Sequence, residues 1–363
     1  MPKTISLCMI VKNEEPVLAR CLESAALFAD EIIIVDTGST DKTKEIAARY
    51  TQQVYDFAWI DDFAAARNHA YSYATMDYIL WLDADDDFEQ DSIHALCRLK
   101  QTLTEDVDVV TFLYGGDIDQ QNLKGNDFLL RDRLVKRSLG AKWQYPIHEA
   151  IPILPEYHVL HAQDIVVMHR KAVVNEPARN MHIFNKVKQA QLPLNTFNRY
   201  FYCRELYLAE RYNESVQEYE IICSMREKEN ILSALPYGVW SLQKLHDTEG
   251  AMKILLESLT LFPPNELVCC ELGNCFLQKK NDREAELWYN KALAVTVDYK
   301  DFQPHFLAYQ KFLPYLKLGV LFANRGDFDR ALKYNEGALQ VFPNNMVAKC
   351  NQLYYQKQID TVT

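Results

Sequence analysis

The chain has 363 residues, 48 % of them apolar and 25 % charged, a length that suits two domains and a balance found in folded rather than disordered proteins. Its 39 basic and 50 acidic side chains give a net charge of −11, which argues against nucleic acid as a partner. No apolar run approaches the ~18–20 residues of a membrane span, no secretion signal opens the chain, and nine scattered cysteines without a CxxC pair read as reduced thiols, so a soluble cytoplasmic protein is expected.

Ile5 to Val11 is an apolar run of strand length, and Glu15 to Phe28 carries Val17, Leu18, Cys21, Leu22 and Ala25 at helical spacing. Glu31 to Val35 is too apolar to be half exposed and predicts a buried parallel strand. Asp36 to Asp41 predicts a turn, with Thr40 or Asp41 capping a helix through Ala48. Val54-Tyr55 predicts a short strand, Asp62 to Ala74 a helix, and Tyr78 to Leu82 another buried strand. This alternation predicts a doubly wound α/β sheet. Val107 to Tyr114, Phe128 to Lys136 and Ile165 to His169 predict strands without intervening helices, hence a mixed sheet edge.

After Pro177 the pattern is helical and repeats. Leu272-Gly273, Phe276, Ala285, Tyr289 and Ala292 are echoed by Leu318-Gly319, Phe322, Ala331 and Ala338, with Pro343 closing the unit. These are the small and large positions on which paired helices of a tetratricopeptide repeat pack. Degenerate copies centre on Ser215/Tyr219 and on Ala251/Leu255/Pro263, and the longer gap before Ala331 implies an insertion over 296–311. The expected domains are therefore 1–175, an α/β sheet, 176–195, a linker helix, and 196–363, about four repeats.

Ligands of a doubly wound sheet bind beyond the carboxyl ends of its strands. Three polar clusters fall there: Lys12 to Glu15, Asp36 to Asp41, and Asp83-Ala84-Asp85-Asp86-Asp87. Four carboxylates in five residues are costly unless something positive binds. Mg²⁺ or Mn²⁺ bridging a diphosphate would account for Asp83 and Asp85, while Asp86 and Asp87 fit a solvated acidic helix start equally well. There is no GxxxxGK[ST], no GxGxxG after the first strand and no GxSxG, which disfavours P-loop, dinucleotide and α/β-hydrolase readings.

Taken in order, Ser6 to Glu15 (SLCMIVKNEE), VDTGSTD, Asp62 to Asn68 (DFAAARN) and WLDAD resemble family 2 glycosyltransferases of the GT-A fold. With helical repeats behind them, and with Ile147-His148-Glu149, His169 and Tyr202 to Leu206, the chain resembles the bacteriocin peptide glycosyltransferases of the sublancin S-glycosyltransferase type. The resemblance implies a GT-A domain using a UDP-sugar and a divalent cation. It implies that Asp83 and Asp85, with Ala84 between them, are the DxD pair that meets the ribose and the metal, and that Arg67 lies near the diphosphate, where a planar guanidinium suits phosphate oxygens. Val11, Glu14 and Asp36 match positions lining the nucleoside pocket, although many members carry two acids where this chain has Asp36-Thr37. The family pattern favours His169 as a third metal ligand beside Asp85 and Asp83, a place suited to a neutral imidazole.

An inverting transfer needs a base for the nucleophile, and Glu149 is the candidate, with His148 as a substrate contact or substitute. A cysteine acceptor would ask little of that base, because its thiol already has a pKa near ~8.5. The competing reading of Glu149 is an ion pair with Arg131, Arg133 or Arg137. Trp143 and Tyr145 are candidate sugar-stacking residues or core. Arg204 and Glu205 either orient the acceptor or form a salt bridge. His158 and His161 fall in a predicted loop, and His69, His94, His182 and His305 carry no ligand spacing. The expected activity is transfer of a sugar, glucose first, from a UDP-sugar to Cys or Ser/Thr of a ribosomally made peptide held near the repeats. A lipid-linked or cell-surface glycan acceptor and an inactive repeat scaffold are the alternatives, and a homodimer is left open.

Overall fold

The computed structural model describes residues 2–116, 129–170, 177–296, 306 and 308–362. His305 and most of the insertion expected over 296–311 lie outside them. The described chain divides into two compact units, one ending at Pro193 and one beginning at Leu194.

The first unit holds an eight-stranded mixed sheet in the order β3-β2-β1-β4-β7-β6-β8-β5. β1 (Ile5–Val11), β2 (Glu31–Asp36), β3 (Val54–Asp56) and β4 (Tyr78–Trp81) form the parallel part. Their side chains divide between two covered faces, which is why the runs are apolar throughout rather than alternating. Leu7 and Met9 pack with Leu18 and Leu22 of α1 (Leu18–Ala25) and Leu96 of α4 (Gln90–Thr102). Cys8, Ile33 and Trp81 pack on the other face with Ala64 and Ala70 of α3 (Phe63–Tyr71). Between β2 and β3 runs the short α2 (Thr43–Ala47).

The expected mixed edge is present. β7 (Leu129–Lys136) is antiparallel to β4 and to β6 (Val109–Gly116), and β8 (Val159–His169) runs parallel to β6. β8 begins earlier than predicted, so His161 lies in a strand rather than a loop. Asp86 and Asp87 do not start a helix. They form β5, antiparallel to β8 with Asp86 opposite His169, and both are buried. α5 (Pro177–Gln189), over the expected linker, falls in the first unit and buries Met181, Ile183 and Phe184.

The second unit is a run of helix pairs: α6 (Thr196–Leu208) with α7 (Tyr212–Met225), α8 (Lys228–Lys244) with α9 (Thr248–Ser258), α10 (Glu266–Gln278) with α11 (Asp282–Ala294), and α12 (Leu313–Asn324) with α13 (Phe328–Val341). A final helix, α14, covers Met346–Val362. The small positions read from the sequence, Ser215, Ala251, Ala285 and Ala331, are fully buried. Close approach explains Gly273: a Cβ there would stand 2.5 Å from the ring of Tyr289, itself wholly buried. This is tetratricopeptide packing, a small residue of one helix receiving a large one of its partner. Among the described residues no helix is long and apolar enough to cross a membrane.

Candidate active site

The three polar clusters gather at the carboxyl ends of β1, β2 and β4. After β1, Asn13 takes a left-handed conformation (φ 57°) that Asn tolerates, and its Oδ1 accepts from the Thr40 amide at 2.8 Å. Val11 and Thr37 lock the first two strand ends, the Thr37 amide donating to the Val11 carbonyl at 2.9 Å. Asp36 is buried; its Oδ1 accepts from the Gly38 and Ser39 amides, while its Oδ2 has no hydrogen-bond partner. Turn formation thus uses one oxygen of Asp36 and leaves the other unpaired.

Glu14 stands close to the acidic corner. Burial, then the charges of Asp85, Asp83 and Asp41, push its carboxyl up to about 7, with Arg179 opposing. Burial also raises Asp85, helped by Asp83 and Asp86 and opposed by His169. Glu14 and Asp85 are thus carboxylates whose ionisation a nearby positive charge would favour.

Arg67 of α3 is buried and bridges two acids: Nη2 donates to Asp83 Oδ1 at 2.7 Å and Nε to Glu149 Oε1 at 2.6 Å. Its guanidinium lies 4.8 Å from the Trp81 ring centroid and 5.0 Å from that of Trp143, and Nη1 has no partner. Burial would favour the ionised form less, but Arg67, Arg133 and Arg131 together hold the Asp83 carboxyl well below its ordinary range. The ion pair expected for Glu149 therefore exists with a different partner. Arg133 pairs with Asp86, Arg131 lies over Tyr114, and Arg137 donates to the Met76 carbonyl.

Glu149 sits at the foot of a loop closed by the Gln144–Ala150 bridge. Tyr145 (φ 74°) and His148 (φ 49°) both adopt left-handed backbone in it, a local strain of the kind that accumulates at functional loops. The His148 ring lies 6.0 Å from that of Phe184 in α5. Trp143, read as either a sugar-stacking or a core residue, is 5 % exposed and packs edge-on to Trp81 and Tyr71, so its part here is the floor under Arg67. Arg204 and Glu205 lie in the second unit, paired with each other at 2.9 Å on α6.

Asp85, Asp86 and His169 are the described group whose ligand atoms lie within 4.8 Å of one another, as a shared ion would require. Carboxylate and imidazole donors fit Mn²⁺ or Mg²⁺. The close approach depends on Gly116 at the end of β6, where a Cβ would stand 2.3 Å from the His169 carbonyl oxygen. Asp83, expected among the ligands, is beside this group and tied to Arg67. The sequence left Asp86 undecided and offered Arg133 as a partner for Glu149, whereas it pairs with Asp86.

The sequence pattern of glycosyl transferase family 2 matches residues 6–204, more than half of the chain. The protein belongs to that family. Similar proteins include a TPR repeat-containing protein of Synechococcus elongatus, 35 % identical over 148 residues, which are 40 % of this chain and 35 % of that one. The SPbeta prophage-derived glycosyltransferase SunS of Bacillus subtilis is 26 % identical over 226 residues, 59 % of this chain and 51 % of SunS. The family 2 chain thus spans between a third and about half of the length of these relatives. Glucosyl-3-phosphoglycerate synthase from Mycobacterium tuberculosis, solved with Mg²⁺ and UDP, aligns over 53 % of this chain and 81 % of its own at 16 % identity and a TM-score of 0.37, too distant to carry an argument.

Proposed function

We propose that this family 2 glycosyltransferase is an inverting, metal-dependent enzyme that moves a sugar from a UDP-sugar, glucose foremost, to Cys or Ser/Thr of a ribosomally made peptide. The observation that carries the donor half is the convergence of Asp85 and His169 with the Arg67 bridge at the strand ends. A divalent cation there would neutralise charge as the nucleotide departs. Asp85 and His169 would hold it; Asp83 would meet the ribose; Val11, Glu14 and Asp36 would line the nucleoside pocket.

Glu149 would take the acceptor proton. Its Oε1 is engaged by Arg67, which also holds Asp83, so a diphosphate drawing on Arg67 would release Glu149 to meet the acceptor. Donor binding and base activation would then be coupled through one guanidinium. The repeats support a polypeptide acceptor, since stacked helix pairs offer an extended surface.

The test is incubation of the protein with UDP-glucose, Mn²⁺ and a Cys- and Ser-containing peptide, read by mass. A hexose added to the peptide supports the reading; transfer to a lipid extract alone moves the acceptor to a glycan; no transfer or hydrolysis from any UDP-sugar refutes it. Glu149→Gln should abolish transfer while UDP binding persists, and loss of both removes Glu149 from the base role.

A further inference from the structure

The first helices of consecutive repeat pairs carry a row of half-buried rings. Between ring centroids, Tyr200 and Tyr207 of α6 stand 6.2 Å and 5.9 Å from Tyr237 of α8. Tyr207 and Tyr237 in turn stand 5.8 Å and 5.5 Å from Trp240, also of α8. At the Trp240 end the row is continued by two rings from outside these helices. Phe306 meets Trp240 edge-on at 5.6 Å, and Tyr309 lies 6.3 Å from it. Both belong to the connection between α11 and α12, and the Tyr309 amide donates to the Phe306 carbonyl at 2.7 Å, so one turn presents both rings. The floor under this end is Glu271 of α10, buried and, among the described residues, without a cationic partner. Its Oε1 accepts from the Tyr309 hydroxyl at 2.5 Å and from Trp240 Nε1 at 3.2 Å; its Oε2 accepts from Gln243 Nε2 at 2.6 Å and Asn274 Nδ2 at 3.0 Å. A buried carboxylate left short of a donor is costly, so a group taking the place of Tyr309 has to bring a donor along with its ring.

We propose that this row is a docking face for a polypeptide that presents a tyrosine beside a second ring, and that Phe306 and Tyr309 are its built-in occupant, which such a polypeptide displaces. The inference takes from the reading above only that the acceptor is a polypeptide, and names the chemistry by which the repeats hold it. Rings set edge-on or offset at these separations attract one another beyond the area they bury, and Glu271 selects a hydroxyl over a bare ring. An internal occupant, at an effective concentration on the order of millimolar, competes with every incoming segment and so rejects weak partners.

The probe is a labelled synthetic peptide of residues 306–312, titrated into the full chain without any UDP-sugar and read by fluorescence anisotropy. Phe306→Ala/Tyr309→Ala should bind it at least about tenfold more tightly than wild type, because the internal copy no longer competes. A peptide with Phe in place of its Tyr should bind that variant at least about tenfold less tightly, the worth of one hydrogen bond to a charged group. Equal binding by wild type and variant, or binding by neither, would mean that the two rings only pack the start of α12, and overturns the inference. Indifference to the hydroxyl of the peptide overturns it as well. Should the double variant not fold, Tyr309→Phe keeps the ring and removes the internal bond to Glu271. It should bind the tyrosine peptide about tenfold more tightly than wild type, and unchanged affinity refutes the docking face. No sugar is transferred in this assay, so failure of peptide glycosylation would refute the proposed acceptor and leave the docking result standing, and failure of docking would leave the transfer result standing.

Discussion

Replacing Arg67 by Met tests the electrostatic core of the site. The guanidinium is 7 % exposed and links Glu149, 12 % exposed, with Asp83, 35 % exposed. Methionine keeps most of the apolar contact with Trp81 and Trp143 but strands two carboxylates. Removing one partner of a buried ion pair costs about 3–5 kcal/mol, and because Asp83 can rehydrate, about 3 kcal/mol is expected near pH 8. The sign with pH follows from Asp83. Its folded pKa is depressed, so its contribution is present above the unfolded value and lost as pH falls through the folded one. Without Arg67 that depression is relieved, and the gap between wild type and Arg67→Met should narrow only below about 4, as pH falls toward about 2. Denaturant titration, with hydrogen exchange of the β1 and β4 amides isolating the first unit, measures both quantities. A loss under about 1 kcal/mol at pH 8, or a gap independent of pH, would refute the claim that this bridge is desolvated.

Asp85→Ala should leave the melting temperature nearly unchanged and weaken UDP binding with Mn²⁺ at least about tenfold, measured by calorimetry; equal affinity would remove Asp85 from the cation site. Glu14 is raised in the folded state, so its favourable contribution is full below its unfolded value and lost as pH rises through about 7. Glu14→Gln should therefore melt higher than wild type at pH 8 and alike near pH 4, and a lower melting temperature at pH 8 would contradict the burial and acidic-neighbour account. Gly273→Ala sets about 1 kcal/mol of helix propensity against about 1–3 kcal/mol of overpacking on Tyr289, for an expected net loss of up to about 2 kcal/mol. Thermal melts check it, and an unchanged or raised midpoint would show that the Tyr289 ring yields.

Much of this was legible before any coordinates. The apolar runs of β1, β2 and β4 predict buried strands because parallel strands covered on both faces need no alternation. The small and large positions of the repeats predict helix pairs because helix packing admits a bulky ring only opposite a missing Cβ, as at Gly273 and Tyr289. Motif order alone carried the acidic corner, since the turns after successive strands converge wherever a doubly wound sheet forms. What the linear chain left open were partnerships between elements distant in sequence. Glu149 pairs with Arg67, 82 residues away, rather than with the nearer arginines. Asp86 joins a strand opposite His169 because β8 returns beside β6 and reaches it there. Composition and periodicity state which groups want burial or charge; only the three-dimensional register decides which group answers which, because a one-residue shift in pairing would turn each side chain to the other face.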